Sequence, residues 1–291
     1  MRIEVDGLGY HVEVSGEGPA LVMLHGFTGS TRSWDGHTER IRELAADRTD
    51  WPGHTSILVD LPGHGLSDSP TDAERYSMEQ AAADLVVILD TLGQPRAALV
   101  GYSLGGRLAL YFTLAYPDRV AALVLESASP GIEDAEEREQ RVESDDELAA
   151  FLEREGVEAF VERWEAHPLF ATQSTLSDSV RTGLRRQRLA NNTQGLANSL
   201  RSMGAGAQPS LWNRLGEITV PVLLLAGEHD PKFRGIQQRM WDLLPRVGAT
   251  TVRGAGHAIH LEQPEQFDTR VVEFLWGSLP GWSSREEIQW Q

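Results

Sequence analysis

The chain contains no cysteine, and only one of its 26 basic residues, Lys232, is a lysine. The first absence excludes disulfides, thiolate metal centres and a cysteine nucleophile. The second makes the positive charge almost wholly guanidinium, which meets carboxylates in planar two-pronged contacts. GC-rich codon usage with a salt-adapted acidic surface is the simpler account of that bias as a whole. A surplus of positive charge is missing as well: the net charge is -17 at pH 7. Nucleic acid and acidic membranes both require a basic patch, so neither is expected as a partner. No apolar run approaches the roughly 20 residues needed to span a bilayer. The start Met1-Arg2-Ile3-Glu4-Val5 also lacks the apolar core of a secretory signal. A cytoplasmic protein is expected, a monomer by default since the sequence does not reveal the oligomeric state, with no cofactor and no metal.

What is present is the rhythm of an α/β protein. Ile3-Glu4-Val5 and His11-Val12-Glu13-Val14 alternate like strands around the turn Asp6-Gly7-Leu8-Gly9. Apolar runs without alternation follow at 20–24, 56–60, 97–100, 120–125 and 220–225, as suits strands covered on both faces. Helical patterns at 78–92 and 104–115 intervene, and a strand at 249–252 and a helix at 264–276 close the series. This is the pattern of right-handed βαβ units. Between 130 and 212 the strands stop and only helical patterns remain. A structureless loop of that length is implausible in a compact domain, so a helical cap inserted after the sixth strand is expected. Its stretch 133–165 holds fourteen acidic and four basic residues, which predicts a solvated outer face. The division expected is a core of 1–129 and 213–279, a cap of 130–212 and a tail of 280–291 without an assigned role.

The pentapeptide Gly101-Tyr102-Ser103-Leu104-Gly105 joins one of these strands to a helical pattern. A serine on so sharp a strand-to-helix turn is a candidate nucleophile, and the flanking glycines relieve crowding that side chains would cause. A serine hydroxyl needs an imidazole to take its proton and a carboxylate to orient that imidazole. Asp230, at the end of the 220–225 strand unit, and His257, in Gly254-Ala255-Gly256-His257, supply them in the order serine, acid, histidine. Glu228 competes with Asp230, although on a continuing strand its side chain points the other way. Nine histidines are present, so most must be structural or solvated. His260 competes with His257 but falls at the start of the final helix, while His25 and His64 are expected to brace their own loops. The segment His25-Gly26-Phe27-Thr28 fits an oxyanion loop, with the backbone N–H groups of Phe27 and Leu104 as donors.

Over residues 16–276 these blocks resemble the α/β-hydrolases, which implies an α/β-hydrolase fold with a mostly parallel, eight-stranded sheet. Residues 101–107, 126–132 and 204–212 are similar, more narrowly, to the 2-succinyl-6-hydroxy-2,4-cyclohexadiene-1-carboxylate synthases of menaquinone biosynthesis. That resemblance implies removal of pyruvate by abstraction of a proton beside a ketone, with Ser103, Asp230 and His257 as the base. It also implies a small anionic substrate, with Tyr102, Arg107, Arg141, Trp164 and Arg188 as the residues that bind it. Arg107 has independent support: a cation in the first turn of a helix is disfavoured by about 0.3–1 kcal/mol, which a pocket anion would offset. Arg138 lies three residues from Arg141 and competes with it, and surface ion pairing remains open for both. The stretch 47–54, with Trp51-Pro52-Gly53, departs from the family and is expected to be a longer surface loop. The competing functions are a carboxylesterase or carbon–carbon bond hydrolase on the same triad, and a non-catalytic ligand receptor. A haloalkane dehalogenase is disfavoured because Ser103 replaces its carboxylate nucleophile. An apolar-ester pocket would not need the arginines.

Overall fold

The computed structural model describes residues 1–46 and 53–278; residues 47–52 of the expected loop at 47–54, and the tail at 280–291, lie outside the described residues. The chain opens with strands β1 (Arg2–Val5) and β2 (Leu8–Gly16), an antiparallel hairpin. The turn is tighter than the four residues expected. Asp6 and Gly7 both take positive φ, 47° and 78°, as a two-residue hairpin loop demands, and Leu8 already pairs with Val5. Then come β3 (Ala20–Leu24), β4 (Thr55–Val59), β5 (Ala97–Tyr102), β6 (Val120–Glu126), β7 (Val222–Gly227) and β8 (Val247–Val252). Among the described residues the eight form one sheet in the order β1-β2-β4-β3-β5-β6-β7-β8. The strand β2 runs antiparallel to β4, and from β4 onward all pairs are parallel.

Helices α1 (His37–Ala46), α2 (Met78–Thr91), α3 (Leu104–Ala115) and α7 (Pro231–Trp241) connect strands, and α8 (Ile259–Glu262) and α9 (Pro264–Ser278) follow β8. The apolar runs lack alternation because both faces are covered. In β3, Ala20, Val22 and Leu24 join an apolar cluster with Leu85 of α2 and Leu108 of α3. The intervening Leu21 and Met23 join another, with Ile41 of α1 and Phe267 of α9. Between β6 and β7 lie α4 (Ala135–Glu165), α5 (Asp178–Leu189) and α6 (Thr193–Met203). They fit a cap, with a separate core of Leu152, Phe160, Val161, Leu196 and Leu200. Gly156, at φ 83° and ψ 171°, breaks α4 into two helical stretches.

The strand-to-helix turn after β5 depends on close backbone approach. A Cβ on Gly105 would lie 2.2 Å from the Leu24 carbonyl oxygen, and one on Gly101 would lie 2.5 Å from that of Gly105. Ser103 between them is held at φ 50°, ψ -107°, outside the regions that L-residues prefer. Because backbone cannot yield as a flexible side chain can, Gly105→Ala is expected to cost about 3 kcal/mol or more in urea unfolding. A variant within about 0.5 kcal/mol of the parent would contradict that tight packing.

Candidate active site

Parallel strands deliver their following loops to one edge of the sheet, which is where three distant side chains meet. The Asp230 Oδ2 accepts a hydrogen bond from His257 Nδ1 at 2.8 Å, and His257 Nε2 stands 3.2 Å from Ser103 Oγ. Donation from Nδ1 to the carboxylate leaves Nε2 free to accept the serine proton. Asp230 and His257 are buried and Ser103 is half-buried. Ser103 occupies the N-cap position of α3, yet its hydroxyl caps nothing; it is turned to the imidazole instead. Asp230 serves twice, since its Oδ1 also accepts the Phe233 N–H at 3.1 Å and caps α7. Glu228 points elsewhere, to the Gly254 N–H. His260 is bound to Glu126, whose carboxylate accepts its backbone N–H at 3.0 Å and its Nδ1 at 2.9 Å.

Leu104 is the first residue of α3, so its N–H has no carbonyl within the helix. Ser103 donates its own N–H to the Glu126 carbonyl at 2.9 Å. Phe27 sits on the facing loop, which approaches so closely that a Cβ on Gly26 would lie 2.5 Å from the Tyr102 ring. His25 braces that loop: its Nδ1 donates to the Gly26 carbonyl at 2.8 Å and its Nε2 accepts the Leu61 N–H at 3.0 Å. Burial pushes the His25 imidazole down to about 4, consistent with a neutral ring used as a brace. The His64 Nδ1 bonds the Pro62 carbonyl at 3.0 Å, and burial holds that ring down at about 3.

A cavity of about 810 Å³ opens over Ser103 and His257, lined by Phe27, Leu104, Tyr102, Arg107, Arg141 and Trp164 among others. Arg107 donates to the Gln208 Oε1 at 2.9 Å and to the Met203 carbonyl at 2.8 Å. Among the described residues it has no ion pair, and burial, helped by nearby Arg141, pushes its guanidinium down to about 10. A surface ion pair therefore does not explain it. Arg141 bonds Asp145 at 2.9 Å and its side chain is 41% exposed. Arg138 does not line the cavity. Trp164 both packs and lines: its ring lies 5.3 Å from Phe27 and 5.6 Å from Phe160. The Tyr102 ring lies between His257 and His260, at 5.5 and 4.6 Å, with its phenol raised well above the usual range by burial.

Arg188 is the departure. It is 5% exposed, does not line the cavity, and spends its terminal nitrogens on Glu165 at 3.1 Å and Gln173 at 3.0 Å. A guanidinium so buried needs an acid partner, and Glu165 supplies it from the end of α4. Two contributions were not foreseen. Phe233 lies 4.6 Å from the His257 ring and Phe170 6.1 Å, from core and cap respectively. Glu126 holds both the Ser103 N–H and the His260 segment; its signal was an acid ending an otherwise apolar strand. Among the described residues no group of three His, Asp or Glu side chains stands close enough to hold a metal ion. No helix there is long and apolar enough to cross a membrane.

The profile of the α/β-hydrolase fold family matches residues 19–264. A Bacillus subtilis (strain 168) protein bearing a provisional 2-succinyl-6-hydroxy-2,4-cyclohexadiene-1-carboxylate synthase name is 46% identical over 274 residues, 93% of this chain and 96% of its own. The synthase of that name from Enterobacter sp. (strain 638) is 33% identical over 88% of this chain and 92% of its own. The chain belongs to this synthase family of α/β-hydrolases. Its fold agrees with the solved structure of MenH from S. aureus, with a TM-score of 0.84 and 37% identity over 91% of this chain and 97% of that one. An enol-lactonase from Burkholderia xenovorans LB400, 22% identical with a TM-score of 0.76, shares the fold alone.

Because Asp230 caps α7 as well as binding His257, its substitutions should separate the two contributions. Asparagine can still cap, so Asp230→Ala is expected to be less stable than Asp230→Asn by about 1 kcal/mol in urea unfolding. Equal stability would mean that the cap bond contributes nothing.

Proposed function

We propose that the chain is a carbon–oxygen lyase of menaquinone biosynthesis, eliminating pyruvate from 2-succinyl-5-enolpyruvyl-6-hydroxy-3-cyclohexene-1-carboxylate. The observation that carries this is Arg107, a cation without an ion pair among the described residues, on the cavity wall one helical turn from Ser103. A neutral ester gives no reason for such a group, whereas a tricarboxylate does. The names of the Enterobacter and Bacillus relatives point the same way.

By this reading His257, oriented by Asp230, accepts the Ser103 proton as the Ser103 oxygen takes the hydrogen from ring carbon 2, beside the succinyl ketone. The charge that develops on the ketone oxygen is held by the Phe27 and Leu104 N–H groups. One such donor is worth about 3–4 kcal/mol in a serine protease. The electron pair forms the 2,3 double bond, the 3,4 bond shifts to 4,5, and the carbon–oxygen bond at carbon 5 breaks. The leaving enolpyruvate takes back a proton and tautomerises to pyruvate. Neither water nor an acyl-enzyme takes part, which separates this reading from an esterase. Tyr102 and Trp164 pack on the ring, Arg107 and Arg141 bind carboxylates, and 130–212 is the cap that closes the cavity above a core of 1–129 and 213–279. The cytoplasm is the expected location.

Ser103→Ala is expected to lose pyruvate release by at least on the order of 10³-fold while remaining folded. His257→Ala should match it, and the double variant should be no worse, since the pair acts as one unit. Near-parental turnover by a folded Ser103→Ala protein would overturn the mechanism.

Replacing Arg107 with lysine keeps the charge but loses the two-pronged geometry. Loss of a buried charged contact costs about 2–5 kcal/mol elsewhere, so kcat/KM for pyruvate release should fall at least about tenfold. An equal fall in hydrolysis of a neutral aryl ester would mean that Arg107 supports the fold rather than selecting an anion.

A further inference from the structure

The proposed substrate carries three carboxylates: one on the ring, one at the end of the succinyl chain and one on the enolpyruvyl group. Arg107 and Arg141 answer two of them. Arg188, behind the wall and bound to Glu165 and Gln173, does not answer the third.

Three further cations line the cavity: Arg163, Lys232 and Arg239. Arg239 is bonded to Glu133 and lies 3.9 Å over the Trp212 ring. Arg163 lies 4.9 Å over the Phe151 ring. Lys232, like Arg163, has no ion pair among the described residues, and its Nζ stands 5.8 Å over the Phe233 ring. It is the chain's single lysine, and it sits in the first turn of α7, where the helix dipole disfavours a cation. It is also two residues from Asp230, and so tied to the reacting centre. The acids on the wall come from 133–147, and two of them are already paired, Glu133 with Arg239 and Asp145 with Arg141.

His167 lines the same cavity from the cap. Its Nδ1 accepts the Leu169 N–H at 3.1 Å, so a neutral ring carries its proton on Nε2, as a donor. Burial and the nearby cations Arg141, Lys232 and His257 hold the imidazole below its usual range. Lys232 and His167 are both exposed, which places them on the open side of the cavity.

We propose that Lys232 and His167 form a third carboxylate subsite, on the open side of the cavity, which holds the carboxylate that departs with pyruvate. The inference rests on the lyase reading. An ammonium suits a departing group, because it is a compact, strongly hydrated point charge and does not lock a carboxylate in a fork as a guanidinium does.

The test measures binding of the intact substrate by calorimetry to the full-length Ser103→Ala protein, with and without Lys232→Met. The dissociation constant is expected to rise about tenfold or more, with thermal unfolding unchanged because the side chain is exposed. His167→Ala, in the same background, should weaken binding about threefold or more. The single lysine allows a second readout: acetylation of Lys232 by an N-hydroxysuccinimide ester, followed by mass spectrometry, should be slowed by millimolar pyruvate. Failure of Ser103→Ala to bind the substrate would overturn the lyase reading and the subsite with it. Binding that Lys232→Met leaves within about twofold, with acetylation unaffected by pyruvate, would overturn the subsite alone.

Discussion

The site depends on one steric constraint, the contact of Gly105 with the carbonyls of Leu24 and His25. It brings the start of α3 against the end of β3, and so holds Ser103 at positive φ with its hydroxyl turned outward. Three consequences follow from that single approach. The Leu104 N–H, at the first position of α3, is left without a carbonyl within the helix. The Ser103 N–H is turned back to the Glu126 carbonyl on the neighbouring strand. Arg107, one turn further along α3, reaches the cavity wall. A side chain at position 105 would displace all three together.

Several residues meet a structural and a chemical demand at once. Asp230 caps a helix with one carboxylate oxygen and orients His257 with the other. Trp164 belongs to the core of the cap and to the cavity wall. Glu126 receives the Ser103 N–H through its backbone and pins the His260 segment through its carboxylate. Such sharing ties the positions of serine, acid and histidine to packing that the fold needs anyway, so the geometry is preorganised rather than assembled on binding.

The charge distribution follows a similar economy. The chain is acidic overall, at -17, and among the described residues most of its arginines stand beside a carboxylate. On the cavity wall that matching lapses at Arg107, Arg163 and Lys232, which among the described residues have no ion pair and border a space large enough for a small molecule. An anionic ligand is the natural complement, and the acidic exterior would slow its approach more at low salt than at physiological ionic strength.

Much of this was legible in the sequence, because the signals are local. Apolar runs of strand length, helical periodicity and the spacing of Gly101, Ser103 and Gly105 each depend on residues within one turn or strand of each other. The order serine, acid, histidine followed from which strand ends they close, and the strandless stretch after the sixth strand read as a cap. Tertiary structure decided what depends on partners far along the chain. It tied Arg188 to Glu165, His260 to Glu126 across 134 positions and Glu228 away from His257. Among the described residues it also left Lys232 without an ion pair beside the cavity. A charged side chain looks the same in sequence whether an opposite charge stands beside it or not, and only the folded chain determines which charges are neutralised.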